Sequence, residues 1–287
     1  MPPIHPNIVP ENNIRLPDAI TVVHGDAPLL SRFVLEADKA ARAAGITLYV
    51  RNDFDVLAAL NDEETARGAW YPLVESFDPR HSDISPENGF WLAGENGLGE
   101  IVCTNVARIY DWRESNFARE AVELFYGRDE PAATCIIPDT SVVESISGVV
   151  QSMGAMWMRP DYRGRGMAKW ATRILKAYGL SRWPIDWVVS YIRGRDIDSG
   201  LGYVYGGQHF IRGIYYPGLK GWDGDELVLS YTARDELFAD LARYLSSVLS
   251  ATGAEPLSAE AGLAPLLAQE VINNSPAGPR QGSSSRS

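Results

Sequence analysis

Asp161-Tyr162-Arg163-Gly164-Arg165-Gly166-Met167-Ala168 is the stretch on which the reading of this chain turns. It follows a strand-like apolar run from Ile146 to Arg159 that stops at Pro160, and it leads into the apolar residues Met167, Trp170, Ala171, Ile174, Leu175 and Tyr178. Their spacing puts them on one face of a helix, which Gly179 is expected to end. The order strand, glycine turn, helix has an electrostatic consequence. The first N–H groups of a helix lack intrahelical partners and carry partial positive charge. Gly164 and Gly166 let the turn bring such donors to an anion without Cβ obstruction, and Arg163 and Arg165 add full charges on planar forks suited to phosphate oxygens. The stretch therefore reads as a pyrophosphate cradle.

Two familiar phosphate motifs do not fit. No Gly-Lys-Ser/Thr closes the turn as a nucleotide P-loop requires, and the third glycine and downstream acidic partner of a dinucleotide fingerprint are missing. Against 37 acidic residues the chain has 26 basic ones, a net charge of -11 over 287 residues. That balance argues against nonspecific nucleic-acid binding, mildly favours cationic small molecules, and makes the arginines of the turn stand out. At 45% apolar content there is ample material for a core. Cys103 and Cys135 lack the paired spacing of a zinc site or redox dithiol, and His5, His24, His81 and His209 lack metal-ligand spacing, so no metal is expected. No apolar run reaches the roughly 20 residues of a membrane span, and the proline-rich start is unlike a signal peptide. The expectation is a cytoplasmic protein with reduced thiols, without membrane or nucleic-acid partners.

Met158 to Ala168 resembles the acyl-CoA signature of the GNAT superfamily of N-acetyltransferases, Arg/Gln-x-x-Gly-x-Gly/Ala, with Arg163, Gly166 and Ala168 in the specified places. A second stretch, Val204-Tyr205-Gly206-Gly207-Gln208-His209-Phe210, resembles the family's Leu-Tyr-x-x-x-Gly-Phe, although Val204 replaces leucine and His209 replaces glycine. The resemblance extends over about Ile46 to Thr232 and implies an α/β fold: a mixed, mostly antiparallel splayed sheet flanked by helices, here with an extra N-terminal helix and a C-terminal helix. It implies acetyl-CoA or another acyl-CoA as co-substrate, gripped by Arg163, Gly164, Arg165, Gly166, Met167 and Ala168, with the backbone of Trp157 and Met158 bonding the pantetheine amides. It also implies direct attack of an amine on the thioester, with Tyr205 as general acid; the sequence does not identify the base. The expected acceptor is a primary amine of a small molecule. The alternatives are a longer-chain N-acyltransferase, with a groove built by the insertion at 114–145, and a noncatalytic CoA-binding module.

The remaining chain reads as an irregular N-terminal arm (1–20), a single GNAT-like domain (21–250) and a C-terminal extension (251–287), disordered from about 273. Expected elements are a helix from Pro28 to Ala44, capped by Asp26 and stopped by Gly45, then a strand from Ile46 to Val50 and two short helices within 53–75. A hairpin follows, Gly89 to Ala93 with Glu100 to Tyr110, joined at Glu95-Asn96-Gly97. Next come a helix from Glu114 to Phe125, an irregular insertion up to Ser145, and strands Ile185 to Ile192 and Glu226 to Tyr231. The last helix, Ala233 to Leu249, has a Thr232-x-x-Asp235 capping box and is expected to pack on the domain or form a homodimer face. Tyr215, Tyr216, Trp222, Asp223 and Asp225 read either as an acceptor pocket for a cation or as a plain turn and strand edge.

Overall fold

Residues of alternating or continuous apolar character supply eight strands among the described residues: β1 Ile14–Arg15, β2 Thr47–Arg51, β3 Gly89–Glu95, β4 Ile101–Trp112, β5 Gly148–Met158, β6 Trp187–Arg193, β7 His209–Ile214 and β8 Leu227–Ala233. Helices among the described residues include α1 Leu16–Ala19, α2 Ala27–Ala43, α3 Phe54–Ala66, α4 Phe117–Glu120, α5 Thr140–Val143, α6 Met167–Arg182, α7 Gly194–Asp198, α8 Leu201–Val204 and α9 Arg234–Thr252. This computed structural model describes residues 13–122, 124, 135–138, 140–217 and 226–252. The chain divides into two units, 1–245 and 246–287; of the second, only 246–252, the end of α9, is described.

The strands form one sheet in the order β1-β2-β3-β4-β5-β6-β8-β7. Every pairing is antiparallel except β5 with β6. A parallel step needs a crossover, and α6 supplies it. The fold class implied by the resemblance, a mixed and mostly antiparallel splayed sheet flanked by helices, is the one observed. Asp26 accepts from Leu29 N–H at 2.9 Å to start α2, and Gly45, at φ 76°, follows its end. The buried face of α2 meets α6 through Phe33 and Trp170, whose ring centroids are 5.4 Å apart.

Several local expectations change. Ile14 and Arg15, inside the segment read as an irregular arm, pair with Val50 and Tyr49. The segment 53–75 holds one helix, α3, and a short 3-10 turn at Glu75–Phe77, because the chain leaves the helix at Gly68, φ 69°. In the β3–β4 hairpin the left-handed residue is Gly99, φ 77°, and the Asn96 side chain accepts from Leu98 and Glu100 N–H. Among the described residues of the helix expected over 114–125, Phe117–Glu120 form α4 and Leu124 is helical, with a turn at Ala121 and Val122 between them. Gly179 lies inside α6, which runs on to Arg182. At the start of α9 the carboxylate that reaches back is Glu236, accepting from Ala233 N–H at 3.1 Å, in place of the expected Thr232–Asp235 box. The expected tail from about 273 lies outside the described residues.

The feature that positions the site is the divergence of β5 and β6. They pair only from Val150↔Trp187 to Met153↔Ser190, after which β5 continues to Met158 and β6 to Arg193. At that point β5 bulges: Thr104 faces Trp157 and Val106 faces Gly154, which leaves Ala155 and Met156 opposite Asn105. Ala155 takes φ 50°, a left-handed conformation that costs a residue with a Cβ about 1–2 kcal/mol. Thr104 Oγ1 donates to the Ala155 carbonyl at 3.0 Å and holds the bulge.

Candidate active site

The glycine turn lies between the end of β5 and the start of α6. Gly164 and Gly166 have φ 77° and 80°, and a Cβ built on either meets nothing within 4 Å. Gly166 is the N-cap of α6 and no side chain caps that end, which leaves the N–H donors of the first turn without a side-chain partner there. Met167 buries its side chain beneath the turn and Ala168 follows in the first helical turn.

The two arginines behave differently. Arg163 Nε donates to Met158 O at 3.0 Å, tying the turn to the strand end. Arg165 folds away: Nη1 donates to Ala44 O at 2.9 Å, Nη2 donates to Asp161 O at 3.1 Å, and Cζ lies 4.2 Å from the Tyr162 ring centroid. Its guanidinium therefore braces the turn against the end of α2, a use the local sequence did not show.

Trp157 and Met158 also divide their roles. Arg159 N–H donates to Val102 O and Trp157 faces Thr104, so by antiparallel alternation the backbone groups of Trp157 point at β4 and those of Met158 point to the opening. The Trp157 indole is buried, donates from Nε1 to Ala69 O at 3.2 Å, and stacks on Trp70 with centroids 5.3 Å apart. It thereby anchors the loop that brings Tyr71 to the opening.

Between the diverging strands is a cleft of about 260 Å³. Met153 to Met156 of β5, Ser190 to Arg193 of β6, Trp70 to Val74, Thr172 and Lys176 of α6, and Tyr205 line it. Tyr205, the C-cap of α8, packs beside Ile192, Ile197 and Val228. Burial, with a smaller contribution from Asp196, pushes its phenol up to about 12, so it is a neutral hydroxyl over the physiological range. Tyr203 is instead largely exposed, its ring edge against Phe210.

Tyr71, which sequence reasoning missed, has the opposite environment. Arg193 Cζ lies 3.4 Å from its ring centroid and Arg195 Nη2 donates to its hydroxyl at 3.1 Å. Hydrogen bonding from Arg193 and then Arg195 lowers its pKa below the ordinary phenol value. No local motif marks Tyr71; the contacts join positions more than a hundred residues apart in sequence.

Tyr215 and Tyr216 do not converge. Tyr215 is exposed, while Tyr216 is buried and donates to Ala121 O at 2.9 Å beside Tyr191; Trp222, Asp223 and Asp225 lie outside the described residues. His209 contacts Glu236 at 2.6 Å and stacks on Tyr231. Among the described residues no group of three or more His, Cys, Asp or Glu is arranged to hold a metal, and no helix is long and apolar enough to cross a membrane.

No protein-family model matches the sequence, and no curated protein does. The chain is similar to a solved structure of Arabidopsis thaliana NAA60 in complex with acetyl-CoA, at 14% identity and a TM-score of 0.41, over 66% of this chain and 99% of that one. It is similar also to Mycobacterium smegmatis RimJ in complex with CoA-disulfide, at 12% identity and a TM-score of 0.38, over 70% and 90%. A third is the ribosomal-protein-S5-alanine acetyltransferase of Vibrio fischeri, at 12% identity and a TM-score of 0.36, over 66% and 93%.

Proposed function

We propose that this chain is an acyl-CoA-dependent N-acyltransferase that passes an acyl group, acetyl in the simplest case, to a primary amine. One observation carries the reading: the uncapped first turn of α6, with two open left-handed glycines, stands at the end of the strand whose divergence forms the cleft. Such an end suits a pyrophosphate, the outward-facing N–H of Met158, whose carbonyl already accepts from Arg163, suits a pantetheine carbonyl, and the cleft suits a thioester arm. Arg163 and the N–H groups from Gly164 to Ala168 are the proposed grip, and Arg165 supports it from behind.

Within the cleft the amine nitrogen attacks the thioester carbonyl carbon, a C–N bond forms and the C–S bond breaks. Tyr71 receives the amine proton, directly or through water, because its two arginines stabilise the phenolate. Tyr205 gives a proton to the departing thiolate. Full transfer from a phenol at about 12 to a thiolate of ordinary basicity is uphill by roughly 5 kcal/mol, so Tyr205 donates as the C–S bond breaks. Two groups displaced in opposite directions within one cleft form an acid–base pair, which favours a catalyst over a CoA-binding module.

The test is free-thiol release from acetyl-CoA across a panel of primary amines. Amine-dependent release is expected, and Tyr205→Phe should slow it by roughly 10²- to 10⁴-fold. Absence of release with every amine contradicts the reading.

A further inference from the structure

The segment that presents Tyr205 is a single helical turn with backbone hydrogen bonds of its own, Tyr205 N–H to Leu201 O at 3.0 Å among them. α8 is 4 residues long, too short to be stable alone, and it is flanked by the left-handed Gly200 and Gly206. The carbonyls at its end nevertheless have strong donors, all from α6. Arg173 Nη1 donates to Val204 O at 2.9 Å; Lys176 Nζ donates to Gly206 O at 2.7 Å and more distantly to Tyr205 O at 3.4 Å. Arg173 is fixed in turn by Asp240 of α9, through Nε at 2.8 Å and Nη2 at 3.1 Å.

Both cations are buried. The ammonium is costly to desolvate, and burial brings Lys176 down to about 8 despite the nearby Asp240. An apolar side chain of similar length would fill the same volume; what a lysine adds is donors. Gly206 fits the same arrangement, since a Cβ there would come within 2.8 Å of Asp240 Oδ2 and 2.9 Å of Arg173 Nη2. The helix whose first turn forms the proposed phosphate grip thus also holds the three successive carbonyls around Tyr205.

We propose that Lys176 and Arg173 are positioning residues for Tyr205: by clamping the carbonyls of Val204, Tyr205 and Gly206 they fix where its phenol stands in the cleft. The inference rests on the reading of Tyr205 as proton donor. It predicts that Lys176 acts on catalysis only through Tyr205.

A double-mutant cycle on the full chain tests this. Lys176→Met should slow single-turnover thiol release, at saturating acetyl-CoA and with the most active amine, by roughly 10- to 100-fold, within what a general acid contributes, while acetyl-CoA affinity is kept. In a Tyr205→Phe background the same substitution should cost nothing further, because a residue acting through a removed group has no effect left to lose. Losses that multiply, or a Lys176→Met enzyme as fast as wild type, overturn the inference and leave the function standing. A Tyr205→Phe enzyme as fast as wild type removes Tyr205 from the mechanism and the clamp's role with it, and absence of thiol release with all amines overturns the function itself. If Lys176→Met does not fold, Lys176→Gln is read in the same cycle with the same criteria.

Discussion

Tyr71 and Tyr205 line one cleft, and their phenols are displaced in opposite directions: hydrogen bonding from Arg193 and Arg195 lowers the first, burial raises the second to about 12. They come from elements far apart in sequence, the loop after α3 and the end of α8. The arrangement puts a phenol whose ionised form is favoured by two arginines in the same cleft as one that burial keeps neutral.

The pH dependence follows. A lowered Tyr71 gives up its proton below the ordinary phenol value of 10.0, so kcat/KM should rise with pH along a limb that begins below that value, while Tyr205 stays protonated through it. Tyr71→Phe should move the rising limb upward toward the acceptor amine's own titration, near 10.4 for an alkyl amine. A limb unchanged in Tyr71→Phe would exclude Tyr71 as the base.

Gly179→Ala provides a test of packing. In an ordinary helix interior alanine is more stable than glycine by about 1 kcal/mol. Here a Cβ would stand 1.8 Å from Gln151 Oε1, in a buried side chain whose Nε2 donates to Leu175 O at 3.1 Å. Overpacking of this kind costs about 1–3 kcal/mol, so the substitution should lower the denaturant midpoint. A raised midpoint would contradict the close approach of β5 to α6.

How much of this was legible in the sequence follows from how local each signal is. The turn from Arg163 to Ala168 and the 3.6-residue spacing after it are local, and they correctly placed a strand, a turn and α6 in succession. Glycine both stops helices and lets another side chain approach, so the local sequence makes Gly179 a helix end, and only the position of Gln151 shows that it serves the second use. Arg165 and Arg163 look equivalent in sequence, but Arg165 is drawn to the Ala44 carbonyl by tertiary contact. Tyr71, Arg173 and Lys176 carry no motif, and their contacts depend on how α6, β6 and the loop before β3 meet.

Lys176 should also leave a trace in stability. Its pKa falls from 10.5 unfolded to about 8 folded, so the folded chain releases this proton first. Its contribution to stability is therefore least below pH 8, grows as pH rises from 8 to 10.5, and is constant above. The full gain is about 3 kcal/mol. Buried Cys103, raised to about 12, acts in the opposite direction above its unfolded value. Accordingly, the difference between wild type and Lys176→Met should be followed by denaturant unfolding from pH 7 to 10.5. A difference that does not change with pH would contradict the buried ammonium.

The proposed phosphate grip is tested most directly by acetyl-CoA affinity in Gly166→Ala measured beside Gly99→Ala. Both glycines are left-handed, at φ 80° and 77°, and a Cβ on either meets no protein atom within 4 Å. Both substitutions therefore impose a similar backbone strain of about 1–2 kcal/mol, but only Gly166 stands where the first turn of α6 presents its N–H donors. We expect Gly166→Ala to weaken acetyl-CoA binding by at least about tenfold, the loss of roughly 1.4 kcal/mol of binding energy, and Gly99→Ala to bind as wild type does. Equal affinity in the two variants would contradict the assignment of the acyl-CoA grip to the turn from Arg163 to Ala168.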